Sequence, residues 1–197
     1  FEKNFFLDKI RHPRNTHSKL KIIVIEDKIY TLNKNSELSV HDTNEGKLLK
    51  KNQFIEIIDN DNLVSNYFKN NHFILGYSSG KIIKVDLDGN KIWSFENNKI
   101  FNSNIYEFDD IIIIFYGDEI VGLNFENGKK LWSEKYEDLP IIQAKGAQLV
   151  NFFNDIFFVL PNGRFGSLDL NLGTKNNIQL VDLELQNSIN NANDKIS

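Results

Sequence analysis

The 197-residue chain has no cysteine, no methionine and only three prolines. Without cysteine it forms neither a disulfide nor a thiolate metal site, a lack that fits an oxidising compartment and the cytosol equally. Without methionine, a chain that opens FEKNFFLDKI is expected to start inside a longer polypeptide, as removal of a signal peptide or trimming would leave it. No apolar run reaches the length of about eighteen residues that a membrane-spanning helix needs. Net charge is small too. The 23 Lys+Arg and 27 Asp+Glu leave a net charge of -4 at pH 7, which argues against a nucleic-acid binder with a basic face. No Asn-x-Ser/Thr sequon occurs, which favours a bacterial source over a secreted eukaryotic one. Helical patterning is nearly absent, and no glycine-rich phosphate loop leads into a helix.

What is present suits a folded core: 41% hydrophobic and 12% aromatic residues, well above the composition of a disordered chain. Asn, Lys and Ile are used heavily and Ala sparingly, a bias of AT-rich coding that says nothing about the fold.

The two tryptophans reveal the organisation. Trp93 ends KVDLDGNKIW and Trp132 ends GLNFENGKKLW, each four residues after a glycine. Four segments align on this pattern: KIYTLNKNSELSVHDTNEGKLLK, HFILGYSSGKIIKVDLDGNKIW, IIIIFYGDEIVGLNFENGKKLW and IFFVLPNGRFGSLDLNLGTKNN. Their anchors Asp42, Asp86, Asn124 and Asp169 lie roughly 44, 38 and 45 residues apart, the period of a four-stranded propeller blade. Their turn glycines are Gly46, Gly89, Gly128 and Gly173. IIIIFY and IFFVL are short unbroken apolar runs and are expected to be strands buried on both faces. Gly117-Asp118, Asn162-Gly163 and Ser79-Gly80 are expected to close hairpins, with the positive φ that such turns need. KIIVIE, VSNYF, SNIYEF and QLVNFF are the expected opening strands of the four units. A four-stranded sheet of this kind is stabilised by stacking on its copies.

The reading is an all-β chain. Residues 1–18 form an N-terminal extension. About four blades then follow at 19–58, 63–100, 101–138 and 145–183, with the start of a further blade at 187–197, as part of a larger ring. Trp93 and Trp132 are expected on equivalent outer strands as anchors between blades. A buried ring of that size removes about 150–250 Å² from water, or about 4–6 kcal/mol of transfer free energy. Lys50 and Asn177 stand at the same point in the outer two units.

The strand–turn–VDLDGNKIW and LNFENGKKLW pattern resembles the pyrroloquinoline-quinone (PQQ) type propeller repeat. Asn124, Gly128 and Trp132 match it best. Asp86, Gly89 and Trp93 match with one residue deleted. Asp42 and Gly46 match without the Trp, and Asp169 and Gly173 more weakly. WD40 repeats share part of this grammar, but a Trp after the glycine turn favours the PQQ type. The resemblance implies one of two uses. In quinoprotein dehydrogenases the ring holds a quinone and calcium with acidic and basic groups on long inserts. In the BamB-type outer-membrane lipoproteins the ring is an empty scaffold assisting insertion of β-barrels. The short units point to the second. That resemblance implies a periplasmic, non-enzymatic protein with no cofactor and no metal, a protein partner in the barrel-assembly machinery, and no membrane contact beyond an N-terminal lipid anchor outside this sequence. A quinoprotein fragment and a cytosolic WD40-like scaffold are the alternatives.

Other clusters read more plainly. Arg11, His12, Arg14, His17, Lys19 and Lys21 form either an anion or partner patch or a solvated loop; a short cluster near a terminus favours the loop. The spacing of His12 and His17, without a nearby carboxylate, is poor for a metal. Asp59–Asn62 and Asp109-Asp110 lack the regular oxygen ligands of a calcium loop and read as turns. Glu134–Asp138 reads as a solvated loop. None of the four histidines, His12, His17, His41 and His72, follows a nucleophile motif. Arg164, just after the expected Asn162-Gly163 turn, is the candidate contact to a protein partner, since exposed hairpin tips carry such contacts.

Overall fold

Ile111-Ile112-Ile113-Ile114-Phe115 is too apolar to leave either side in water, so the sheet containing it must be covered on both faces. The computed structural model shows how. It describes residues 21–33, 35–53, 61–135, 148–159 and 164–180. The first sheet contains β1 (Lys21–Ile25), β2 (Lys28–Leu32), β3 (Glu37–Asp42) and β4 (Leu48–Gln53). The second contains β5 (Leu63–Lys69), β6 (His72–Tyr77), β7 (Lys81–Asp86) and β8 (Lys91–Glu96). The third contains β9 (Ile105–Phe108), β10 (Ile111–Phe115), β11 (Glu119–Asn124) and β12 (Lys130–Lys135). The fourth contains β13 (Gln148–Phe152), β14 (Asp155–Val159), β15 (Arg164–Asp169) and β16 (Lys175–Leu180). Each sheet is antiparallel with its strands in chain order, and no helix occurs among the described residues.

Alternation divides β10 between two cores. Ile112 and Ile114 pack with Ile74, Ile82 and Trp93 of the second sheet. Ile111, Ile113 and Phe115 pack with Leu149, Ile156 and Phe158 of the fourth. A third cluster joins Tyr30, Leu32, Leu38 and Val40 to Phe73, Leu75 and Tyr77. The cores thus lie between sheets, as stacking demands. First strands of adjacent sheets also touch: the Ile105 amide donates to Ser65 Oγ at 3.1 Å.

Two expectations need correction, and others fall outside the described residues. IFFVL is not buried on both faces: in β14, Ile156 and Phe158 are buried, but Phe157 is 42% and Val159 52% exposed. Burial of a strand's second face depends on a neighbouring sheet, and none stands there among the described residues. The Ser79-Gly80 and Gly117-Asp118 turns close β6–β7 and β10–β11, but only the glycines take positive φ, +96° and +81°. Turns with both residues left-handed lie instead between first and second strands, at Asn70-Asn71 and Asp109-Asp110, where short polar side chains tolerate that conformation. The Asn162-Gly163 turn, the N-terminal basic cluster before Lys21 and the expected further strand at 187–197 lie outside the described residues.

Phe153 occupies the first position of the equivalent turn in the fourth sheet, at φ +54° and 81% exposed. A bulky side chain there is strained. Phe153→Asn is therefore expected to stabilise the protein by about 1 kcal/mol, measured by urea unfolding. A loss would mean that its edge contact with the Phe152 ring, 4.5 Å between centroids, outweighs the backbone strain.

Candidate functional site at the sheet junctions

The repeated Asp/Asn anchors begin the turns between third and fourth strands, and each spends its side chain on its own turn. Asp42 Oδ1 accepts from the amides of Asn44 and Glu45 at 2.8 and 2.9 Å. Asn124 Oδ1 accepts from Glu126 and Asn127, both at 3.0 Å. Asp169 Oδ1 accepts from Asn171 and Leu172 at 2.9 and 2.7 Å. Asp86, in the turn one residue shorter, accepts from the amides of Asp88 and Asn90 and from the Asn90 amide group. Burial alone would raise the Asp86 carboxyl, but these donors hold it below the ordinary range. An oxygen acceptor is all the turn requires, so neutral Asn124 serves as well as aspartate.

The glycines and tryptophans act across junctions. Trp93 Nε1 donates to the Phe125 carbonyl at 3.0 Å, and Trp132 Nε1 to the Leu170 carbonyl at 2.8 Å. Each indole lies on the turn of the following sheet. A Cβ on Gly128 would sit 2.6 Å from the Trp93 ring, and one on Gly173 2.4 Å from the Trp132 ring. Both glycines have left-handed φ, +69° and +68°, so they are required twice over. In the first sheet Lys50 takes the tryptophan register position opposite Val40 and reaches Asp88 at 3.0 Å. This exposed pair contributes about 0–1 kcal/mol, far less than an indole.

A second set of bonds works at the opposite end of the sheets. The Tyr77 hydroxyl, at the end of β6, donates to Ser36 Oγ at 2.8 Å. Tyr116, the residue after β10, donates to the Gly80 carbonyl at 2.9 Å. Each thus grips the hairpin of the preceding sheet. Both are buried. Burial pushes the Tyr77 hydroxyl up to about 12, and that of Tyr116 upward as well. The sequence reading did not single these residues out, although they lie one repeat apart.

Charge is also committed to the junction of the second and third sheets. Lys84 is buried in β7, with Nζ 3.1 Å from the Phe125 carbonyl, 3.3 Å from Glu126 Oε2 and 3.9 Å from the Phe125 ring centroid. Lys69 pairs with Glu107 at 2.7 Å and Asp110 at 2.8 Å, and Tyr67 donates to Glu107. Burial opposes the charge of Glu119, but Lys99 at 2.9 Å and donors from Ser133 and Asn97 hold its carboxyl below the ordinary glutamate range. Asp61 accepts from Ser78 and Ser79. Among the described residues no three His, Asp or Glu side chains are grouped to hold a metal ion. Arg164 opens β15 opposite Leu180. At that register position the other sheets carry Glu37, Lys81 and Glu119, each in an ion pair.

Against known proteins, no family model and no curated sequence matches the chain. Solved structures do. The computationally designed Ika8 protein aligns at a TM-score of 0.61 with 14% identity, over 84% of this chain and 50% of that one. BamB from Moraxella catarrhalis aligns at 0.59 with 15% identity, over 82% and 48%. Quinohemoprotein alcohol dehydrogenase from Comamonas testosteroni aligns at 0.59 with 11% identity, over 81% and 34%. The sheets are propeller blades. The chain has the fold of a PQQ-type β-propeller resembling BamB, is not closed into a ring, and spans half or less of the length of these structures.

Trp132→Ala is expected to lower stability by about 3–5 kcal/mol; a loss below about 1 kcal/mol in chemical denaturation would contradict the anchoring role. The tyrosines predict an alkaline limit. Unfolded tyrosine ionises near 10.0, whereas folded Tyr77 does so at about 12, so the Tyr77 contribution is intact below pH 10 and lost as pH rises toward 12. Urea midpoints should fall over that window and fall less in Tyr77→Phe. An identical pH profile in the variant would exclude Tyr77 as the cause.

Proposed function

We propose that the chain is a non-enzymatic interaction scaffold of the BamB kind, working at the periplasmic face of the outer membrane with the machinery that assembles β-barrels. The observation that carries the reading is where the polar chemistry goes. The Trp93 and Trp132 N–H groups, the Tyr67, Tyr77 and Tyr116 hydroxyls and the Lys69, Lys84 and Lys99 ammonium groups are engaged in joining blades or their loops. Among the described residues the connections within blades are short, as in the five-residue turn between β11 and β12. Such a protein acts by recognition: rigid blades hold loop tips and strand edges in fixed relative positions, so little ordering entropy is lost on binding. Arg164 at the start of β15 is the proposed partner contact.

Titration calorimetry of the complete protein with PQQ and calcium is expected to give no binding heat. Tight binding would replace the scaffold reading with that of a quinoprotein dehydrogenase, whose fold aligns as well as that of BamB. In a binding assay with the periplasmic part of the barrel-assembly machinery, Arg164→Ala should weaken affinity by about tenfold. Unchanged affinity would remove Arg164 from the interface.

A further inference from the structure

The four turns between first and second strands share one backbone. Their first residues, Glu26, Asn70, Asp109 and Phe153, have φ of +52°, +50°, +48° and +54°. Three of them are polar. The fourth is a phenylalanine, 81% exposed, in a conformation that costs a bulky side chain free energy. The turn between third and fourth strands departs in the same blade. Leu172, 68% exposed, stands where the first and third blades have Glu45 and Asn127. The two turns are tied together, because the Leu170 amide donates to the Asn154 carbonyl at 2.6 Å. An apolar pair thus projects from one end of the fourth blade. A neighbouring blade would cover neither side chain. In the third blade, on which the fourth packs, the equivalent Asp109 and Asn127 are exposed. Nor does the fold need them, since polar residues form the same turns in the other blades. Strain kept at an exposed place that packing does not require marks a contact surface.

Charge identifies the occupant. At this end of the sheets the turns of the first three blades carry seven exposed carboxylates against two lysines, Lys47 and Lys129. The two turns of the fourth carry no charge. Asp109, Asp110 and Glu126 belong to the third blade, which reaches the Leu172 turn through Trp132. Asp110 and Glu126 are paired with Lys69 and Lys84, and Asp109 has no ion pair among the described residues. Such a border repels the anionic headgroups of a bilayer and attracts a cationic chain.

We propose that this end of the third and fourth blades binds a segment of a partner protein that carries aromatic or aliphatic side chains beside lysine or arginine. The apolar side chains of the segment lie against Phe153 and Leu172, and its cations face Asp109 and the neighbouring turns of the third blade. Arg164 opens β15 at the opposite end of the blade. The contact is therefore separate from the one proposed for Arg164, and it does not depend on the scaffold reading.

The test is fluorescence anisotropy of a labelled synthetic peptide of alternating phenylalanine and lysine, titrated with the full chain. Binding should saturate and should weaken as salt rises. Glutamate in place of the peptide's lysines, or alanine in place of its phenylalanines, should each weaken it by more than about tenfold. Phe153→Asn and Leu172→Asn should each weaken it by about tenfold, with urea unfolding confirming that both variants fold. Val159→Asn, on the open face of β14 but at the other end of that strand, should leave the affinity unchanged. No saturable binding, unchanged affinity in either turn variant, or a loss in Val159→Asn as large as that in Phe153→Asn overturns the proposal. So does binding to phosphatidylglycerol vesicles in place of the peptide.

Discussion

An indole on the outer strand of one blade, donating to a carbonyl and lying on a glycine turn of the next, is the interaction on which this structure depends. It does two things together. It covers a large apolar surface that a single sheet cannot bury, and it satisfies a buried N–H at a fixed point on the neighbour. The glycine supplies a left-handed turn and the absence of a Cβ in the same place. The tyrosines fasten the opposite ends of the blades. Where both act, between the second and third blades, the sheets are held near two corners, and apolar middle strands fill the space between.

The junctions are unequal. Between the second and third blades, Trp93, Tyr116, Lys84 and the Lys69–Glu107 pair act together. Between the first and second, Lys50 replaces the indole and faces water with Asp88, so that junction relies on its apolar cluster and on Tyr77. Opening of the arc should begin there, because exposed ion pairs contribute little. This gradient leaves the junction of the second and third blades firmly held and that of the first and second more yielding.

Much of the fold was legible because the repeat writes it four times. The period, the opening strands and the glycine turns follow from spacing and turn chemistry. What spacing hid is which blade each residue serves. Gly128 and Trp132 sit together in sequence, yet Gly128 receives Trp93 while Trp132 lies on Gly173. Lys84 was hidden because a lysine in KIIKVD reads as a solvent-facing residue; only the Phe125 ring, its carbonyl and Glu126 make burial tolerable. The half-open β14 was misread because burial of its second face belongs to the neighbouring sheet, not to the strand. Partner-binding residues leave no comparable trace, since a contact made once has no repeat to reveal it.

The most direct test of the central interaction is a double-mutant cycle of Trp93→Ala with Gly128→Ala, followed by chemical denaturation, with Gly173→Ala as the distant control. Gly128→Ala should be costly in the parent, where its Cβ meets the indole, and much cheaper once Trp93 is removed, a coupling above about 1 kcal/mol. Trp93→Ala and Gly173→Ala should add within about 0.5 kcal/mol. Additivity at Gly128 equal to that at Gly173 would contradict the account, because it would mean that the indole and the turn of the next blade do not share an interface.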